Sequence, residues 1–188
     1  MENVKFGVPQ GSVLGPTLFL IYINDLCNLQ IDGASIFTYA DDTAIVFSGI
    51  SWEAVQRKAE MGLERVSNWL NRNLLSLNIS KTNYICFSPH VRYQPVQDFY
   101  IRIHSCSNPH YLNCNCPSIE KVNCTKYLGI LIHQRLSWQA QIELVINRVR
   151  TLMWIFKTLR HVMNSTVLNK IYIALVQSLI TYCIPVWG

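Results

Sequence analysis

Tyr39-Ala40-Asp41-Asp42-Thr43 sets two adjacent carboxylates between the apolar runs Ile36-Phe37-Thr38 and Ala44-Ile45-Val46-Phe47. Both flanks are rich in β-branched and aromatic residues, so they read as strands joined by a two-residue turn. Such a turn normally takes Asn-Gly or Gly at its tip, where positive φ is required. Asp-Asp meets that requirement poorly and places two negative charges side by side. A local rule broken at a turn usually marks a site. On a straight strand the two side chains would point to opposite faces, whereas at a tight turn both can lean toward one point. Two carboxylates brought together repel unless a cation lies between them, and Mg²⁺ has the matching preference for hard oxygen ligands.

The segment before the hairpin is a loop, Phe6-Gly7-Val8-Pro9-Gln10-Gly11-Ser12-Val13-Leu14-Gly15-Pro16, leading into the apolar helix candidate Thr17–Leu26. Pro16 suits a first helical turn, where its missing N–H costs nothing. Glycines ahead of a helix N-terminus let backbone N–H groups approach a phosphate or a base closely. Alone, such a loop is a weak sign of nucleotide contact, and Asp-Asp alone reads first as an exposed acidic turn.

Downstream, Ser51 is expected to cap a helix running to about Asn73, with Trp52, Val55, Ala59, Leu63, Val66 and Leu70 at three-to-four spacing. Leu77–Ile79, Tyr84–Phe87 and Tyr127–His133 read as strands. Ser137 then caps a long amphipathic helix with Ile142, Ile146, Val149, Met153, Phe156 and Leu159 on one face. Asn164 or Ser165 opens a last helix reaching about Tyr182. This order implies an α+β fold followed by an all-helical end.

The 188 residues, half of them hydrophobic, suffice for a core. No apolar segment follows Met1 as a secretory signal would. The stretches Val13–Ile23 and Ile171–Val186 are too short or too interrupted for a membrane span and read as buried helices. An intracellular chain, nuclear or cytoplasmic, is therefore expected, with no membrane partner. Seven cysteines, an odd number, point to free thiols. Residues 1–50 carry a net charge of −4 and residues 51–188 a net +9, a distribution suited to a protein that holds cations at one point and grips a phosphate backbone.

Taken together the motifs resemble the reverse transcriptase of non-long-terminal-repeat retrotransposons, in particular the jockey-like elements of insects. The resemblance rests on Gly7-Val8-Pro9-Gln10-Gly11-Ser12 through Ile21-Tyr22-Ile23-Asn24-Asp25-Leu26, followed by Tyr39-Ala40-Asp41-Asp42-Thr43. It continues through Trp69-Leu70-Asn71 with Leu75–Thr82, Lys126-Tyr127-Leu128-Gly129-Ile130 with Leu136-Ser137-Trp138, and Tyr182–Gly188. Several long motifs in one order are far more specific than a single short pattern. The resemblance implies a partial polymerase palm over residues 1–133, with an insertion at about 89–122, and a helical thumb over residues 134–188. The family's further catalytic Asp lies on a strand upstream of the Gly-Val-Pro-Gln-Gly-Ser block, and only Met1–Lys5 precede that block here. The fingers and upstream palm are thus expected as a missing partner segment.

In such enzymes a primer 3′-oxygen attacks the α-phosphate of an incoming nucleotide, with two metal ions stabilising the attacking and leaving oxygens. The resemblance makes Asp41 the main ligand of Mg²⁺ (or Mn²⁺) and Asp42 the lesser or positioning one. Tyr39 and Ala40 would lie beside the primer end, and Pro9, Gln10 and Gly11 along the nucleotide and template. Lys81 would assist the departing pyrophosphate as a general acid, although a solvated lysine would look the same. Tyr127, Leu128 and Gly129 match the primer-grip region. Arg148, Arg150, Lys157 and Arg160 are candidates for duplex phosphates. The implied partners are an RNA template, a DNA primer and deoxynucleoside triphosphates. His133 and Gln141-Ile142 depart from the family pattern at positions without a catalytic role. The competing reading is an inactive transposon remnant or a domesticated nucleic-acid-binding fragment.

The insertion carries His104, Cys106, His110, Cys114 and Cys116, with Cys124 just beyond. Cys114-Asn115-Cys116 leaves one residue between thiols where zinc fingers leave two to four. Zinc is therefore not expected, and a reduced, solvent-facing β-hairpin is.

Overall fold

The computed structural model describes residues 11–88, 95, 100–103 and 116–187. It falls into two compact units: Met1–Tyr84 with Pro95–Glu120, and Ile85–Gln94 with Lys121–Gly188.

The first unit begins with helix α1, Gly15–Cys27, which carries Pro16 in its first turn as expected. The Ser12 hydroxyl accepts the Gly15 N–H at 3.1 Å, satisfying one donor that the helix itself cannot. Strands β1 (Ala34–Tyr39) and β2 (Asp42–Phe47) form an antiparallel hairpin. Helix α2, Trp52–Arg72, starts where the sequence placed it: the Ser51 hydroxyl accepts from the Ala54 N–H at 3.3 Å. Glu53 lies beside that cap, and its own backbone N–H and the Ser51 hydroxyl hold its carboxyl below the usual range. Ile23 and Leu26 of α1 meet Val66 and Leu70 of α2 in the core, with Ile45 of the hairpin packed against them.

Leu77–Ile79 is not a strand. Ile79–Lys81 forms a 3₁₀ turn, because the Thr82 hydroxyl bonds the Asn78 carbonyl and the Ser80 hydroxyl bonds the Asn78 side chain. Such short polar side chains offer the backbone an alternative to the sheet. Of Tyr84–Phe87 only Tyr84 lies in a strand, β3 (Asn83–Tyr84). Strands β4 (Ile101–Arg102) and β5 (Ser118–Lys121) pair antiparallel, and β5 is central in the order β3-β5-β4. The expected solvent-facing insertion is thereby corrected. Ile101, Ile103 and Ile119 are buried in a second core cluster with Ala59. His104, Cys106, His110 and Cys114 lie outside the described residues.

In the second unit, Tyr127–His133 proves to be a turn and one strand of a hairpin rather than one continuous strand. Strands β6 (Cys124–Tyr127) and β7 (Ile130–His133) pair with Tyr127 opposite Ile130. Leu128 and Gly129 between them take φ of 45° and 86°. Positive φ at both central residues is the type I′ pattern, whose twist matches the flanking strands.

Helix α3 spans Gln139–Leu159 and is capped by Trp138 without a side-chain bond, so Ser137 is not its cap. Its buried residues are Gln141 and Val145, whereas Ile142, Ile146 and Met153 of the expected inner face are exposed. The buried stripe is offset by one residue in the first turns, where the polar Gln141 is turned inward, while Val149, Phe156 and Leu159 of the expected face are half-buried.

Asn164 caps α4 (Ser165–Tyr172) by accepting the Val167 N–H at 2.9 Å. The helix continues as a π segment, Ile173–Gln177, and as α5, Ser178–Thr181. Cys183 then takes φ of 54° before a last turn, α6 (Ile184–Trp187). By length and composition Ser165–Trp187 is apolar enough to cross a membrane, a longer run than the sequence reading allowed. The backbone break at Tyr182–Cys183 interrupts it.

Neither apolar helix is buried as expected. Leu20 and Ile21 of α1 are 51% and 68% exposed, and Val176 is the buried residue of the π segment. A helix apolar all round needs neighbours on every side, and the described elements cover one side of each.

Candidate catalytic hairpin

The hairpin register pairs Ala34 with Phe47, Ile36 with Ile45 and Thr38 with Thr43 on one face, and Ser35 with Val46, Phe37 with Ala44 and Tyr39 with Asp42 on the other. The first face packs inward through Ile45 and Phe47. The second is open: Phe37 is 54% exposed, Tyr39 66% and Val46 48%. Asp42 thus stands at the end of an exposed, largely apolar strip, directly across from Tyr39.

The turn is not the expected Asp-Asp. Its two central residues are Ala40 and Asp41, while Asp42 is the first residue of β2. Ala40 takes φ of 53°. Positive φ at the first central position alone follows the type II′ pattern, which ordinarily calls for glycine there. An alanine held in that region stores roughly 1 kcal/mol of strain. The strain is placed on Ala40, which leaves Asp41 free of it.

Both carboxylates are exposed, and neither makes a side-chain hydrogen bond or ion pair with another described residue. Their hard oxygens fit a Mg²⁺-type ion, and their adjacency keeps two donors at one end of the hairpin. Among the described residues no group of three or more His, Cys, Asp or Glu comes together. A hexacoordinate ion on Asp41 and Asp42 would need further oxygens from water, substrate or another chain segment.

Lys81 closes the 3₁₀ turn in the same unit and is exposed. It forms no ion pair with Asp41 or Asp42. Gly11 is the first described residue of its loop, with φ of 82° and open space around its Cα; Pro9 and Gln10 lie outside the described residues. Tyr127, Leu128 and Gly129 belong to the second unit, as the end of β6 and the type I′ turn. The hydroxyl of Tyr182 donates to the Leu128 carbonyl at 2.7 Å, a contact for which the sequence carried no signal.

The basic residues of α3 do not form one row. Arg150 and Lys157, seven apart, share a face with the 72%-exposed Trp154. Arg148 lies roughly opposite Arg150 around the helix. It lines an apolar groove of about 370 Å³ with Thr151, Leu152, Leu175 and Leu179.

Residues 2–132 match the family described as reverse transcriptase (RNA-dependent DNA polymerase). The probable RNA-directed DNA polymerase from transposon X-element of Drosophila melanogaster is 31% identical over 79% of this chain and 15% of its own length. The RNA-directed DNA polymerase from mobile element jockey of Drosophila funebris is 27% identical over the full chain and 20% of its own length. A Pol polyprotein from the type-1 retrotransposable element R1 of Bradysia coprophila is 27% identical over 73% of the chain and 12% of its own length. The chain thus spans a fifth or less of these relatives. No solved structure matches it.

Proposed function

Since the chain belongs to the reverse transcriptase family, we propose that it is the palm-and-thumb portion of an RNA-directed DNA polymerase, with Asp41 as its main metal ligand and Asp42 as the second. The observation that carries this reading is the hairpin itself. It offers two adjacent carboxylates, unengaged by the other described residues, at the end of an exposed strip within the segment that matches the family.

In this reading residues 1–133 form a partial palm and residues 134–188 a thumb. Divalent ions are general to the family, and Mg²⁺ or Mn²⁺ on these carboxylates would stabilise the attacking and leaving oxygens of nucleotidyl transfer. The chain's own residues bind and orient. Tyr39, across from Asp42, offers an aromatic face beside the primer end. Pro9, Gln10 and Gly11 border the nucleotide, where glycine leaves room for a base pair. Lys81 presents a cationic donor for the departing pyrophosphate. Tyr127, Leu128 and Gly129 grip the primer, and Arg150 and Lys157 meet duplex phosphates beside Trp154, on which a sugar or base can stack. RNA template, DNA primer and deoxynucleoside triphosphates are the partners.

The exposed strip of Phe37 and Val46 and the open side of α1 support a covering segment that supplies the further catalytic Asp. The absence of a third ligand among the described residues favours a second statement about these 188 residues alone: they bind nucleic acid without extending it. Fluorescence anisotropy with a labelled primer–template, paired with an extension assay in Mg²⁺, tests both. Weak binding that falls steeply with salt, and no extension, is expected. Binding that ignores salt, or none, contradicts the nucleic-acid reading.

A further inference from the structure

The hairpin that carries Leu128 and Gly129 is tied to the helices of its unit at two points. Gln141, a polar residue buried to 3% exposure, accepts the Leu131 N–H with its side-chain oxygen at 3.0 Å. This satisfies a strand donor from helix α3. At the other end of the hairpin, Tyr182 donates its hydroxyl to the Leu128 carbonyl at 2.7 Å, across 54 positions of sequence.

The second tie falls on the strained part of the turn. Leu128 holds φ of 45°, a region costly for a branched side chain. Beside it Gly129, at φ of 86°, leaves its Cα open toward the Tyr182 ring, where an added Cβ would meet Cε1 at 3.4 Å. Tyr182 is itself fixed at a helix break: Cys183 takes φ of 54°, and the Trp187 indole N–H donates to the Tyr182 carbonyl at 2.8 Å. A turn strained at Leu128, a glycine at positive φ beside the Tyr182 ring, and a tyrosine held at a helix break thus meet at one place.

We propose that Tyr182 is a positioning residue for the primer end: its hydroxyl fixes the Leu128-Gly129 turn against the last helix, so that the turn presents one defined surface to a recessed 3′ terminus. This rests on the polymerase reading of the chain. Tyr182 does not touch the reacting atoms in this assignment. It acts through the Leu128 carbonyl, and the Tyr182–Trp187 bond holds it in place.

The test compares the full chain with Tyr182→Phe, which keeps the ring against Gly129 and removes the hydroxyl. Two duplexes of equal length serve as probes, one with a recessed DNA 3′ end on an RNA template and one blunt. Hydrogen exchange at the Gly129 and Ile130 amides reports the turn. Tyr182→Phe is expected to speed exchange there, to leave blunt-duplex affinity unchanged, and to cut the preference for the recessed end about three- to tenfold, the loss of one hydrogen bond. Gly129→Ala, which strains the turn at its φ of 86° while keeping the Tyr182 hydroxyl, is expected to lose the same preference and serves if Tyr182→Phe does not fold. A recessed-end preference retained in these variants overturns the proposal, even if exchange rises, because the bond is then merely structural. A wild-type chain without that preference overturns the polymerase reading of the turn, and this proposal with it.

Discussion

Tyr39 and Asp42 are cross-strand partners that close the hairpin over a two-residue turn of Ala40 and Asp41. The two carboxylates therefore occupy unlike positions: Asp41 sits in the turn, while Asp42 is held by a strand on the face it shares with Tyr39, Phe37 and Val46. The proposed site gives Asp41 the principal and Asp42 the supporting role. The turn also places the conformational strain on Ala40, whose φ is 53°.

Ala40→Gly should consequently stabilise the chain by up to about 1 kcal/mol, offset in part by the greater freedom of glycine in the unfolded state. Ala40→Val should destabilise it, because a β-branched residue tolerates that φ least. Urea unfolding of the two variants beside the parent gives both signs.

Gly62 sits in α2 where an added Cβ would come within 2.6 Å of Phe47 Cε1 and 2.8 Å of Ile31 Cγ2. Gly62→Ala, which raises helix propensity, is nonetheless expected to cost about 1–3 kcal/mol, as overpacking does. A gain in melting temperature would show that the hairpin is not packed on α2 as described.

Replacing Gln141 by Leu leaves the partly buried Leu131 N–H without its acceptor, for an expected loss of about 1 kcal/mol or more. Gln139→Leu, which removes only the exposed bond to Glu143, should stay within about 0.5 kcal/mol. Denaturant midpoints of the pair separate the buried from the exposed amide.

Arg150→Ala and Lys157→Ala should each lower the slope of log affinity against log salt by about one for a primer–template duplex. Arg148→Ala, on the opposite side of α3 beside the apolar groove, should leave the slope unchanged. A titration from low to physiological salt distinguishes a duplex-binding face from a helix that is merely solvated.

What the sequence made legible was local. Ser51 and Asn164 announced their helices because a cap needs only a side-chain oxygen three residues from an N–H. The hairpin was legible through the β-branched runs on either side of Tyr39–Asp42. The Leu128-Gly129 turn was not, since a leucine at positive φ contradicts propensity and is held by Tyr182, 54 residues away. The start of the inner face of α3 was misread by one position for a related reason: a polar Gln141 lies inside because a strand N–H needs it, and apolar periodicity cannot register that, whereas Val149, Phe156 and Leu159 farther along are half-buried as read. The same periodicity implied burial for α1 and the last helix, yet burial depends on what lies beside a helix. Of the candidate site, the Asp pair was legible in the turn chemistry and again in the motif resemblance, and Lys81 in the resemblance alone, whereas the strain at Ala40 and the Tyr182 contact came from the fold.

The central claim is that Asp41 holds the metal of a nucleotidyl transfer site. Its most direct test is primer extension on an RNA template by a chimaera in which these 188 residues replace the corresponding segment of the X-element polymerase. Mg²⁺-dependent incorporation is expected, falling at least about a hundredfold in Asp41→Asn, in keeping with loss of transition-state charge stabilisation. Incorporation that proceeds at the parental rate in Asp41→Asn would contradict it.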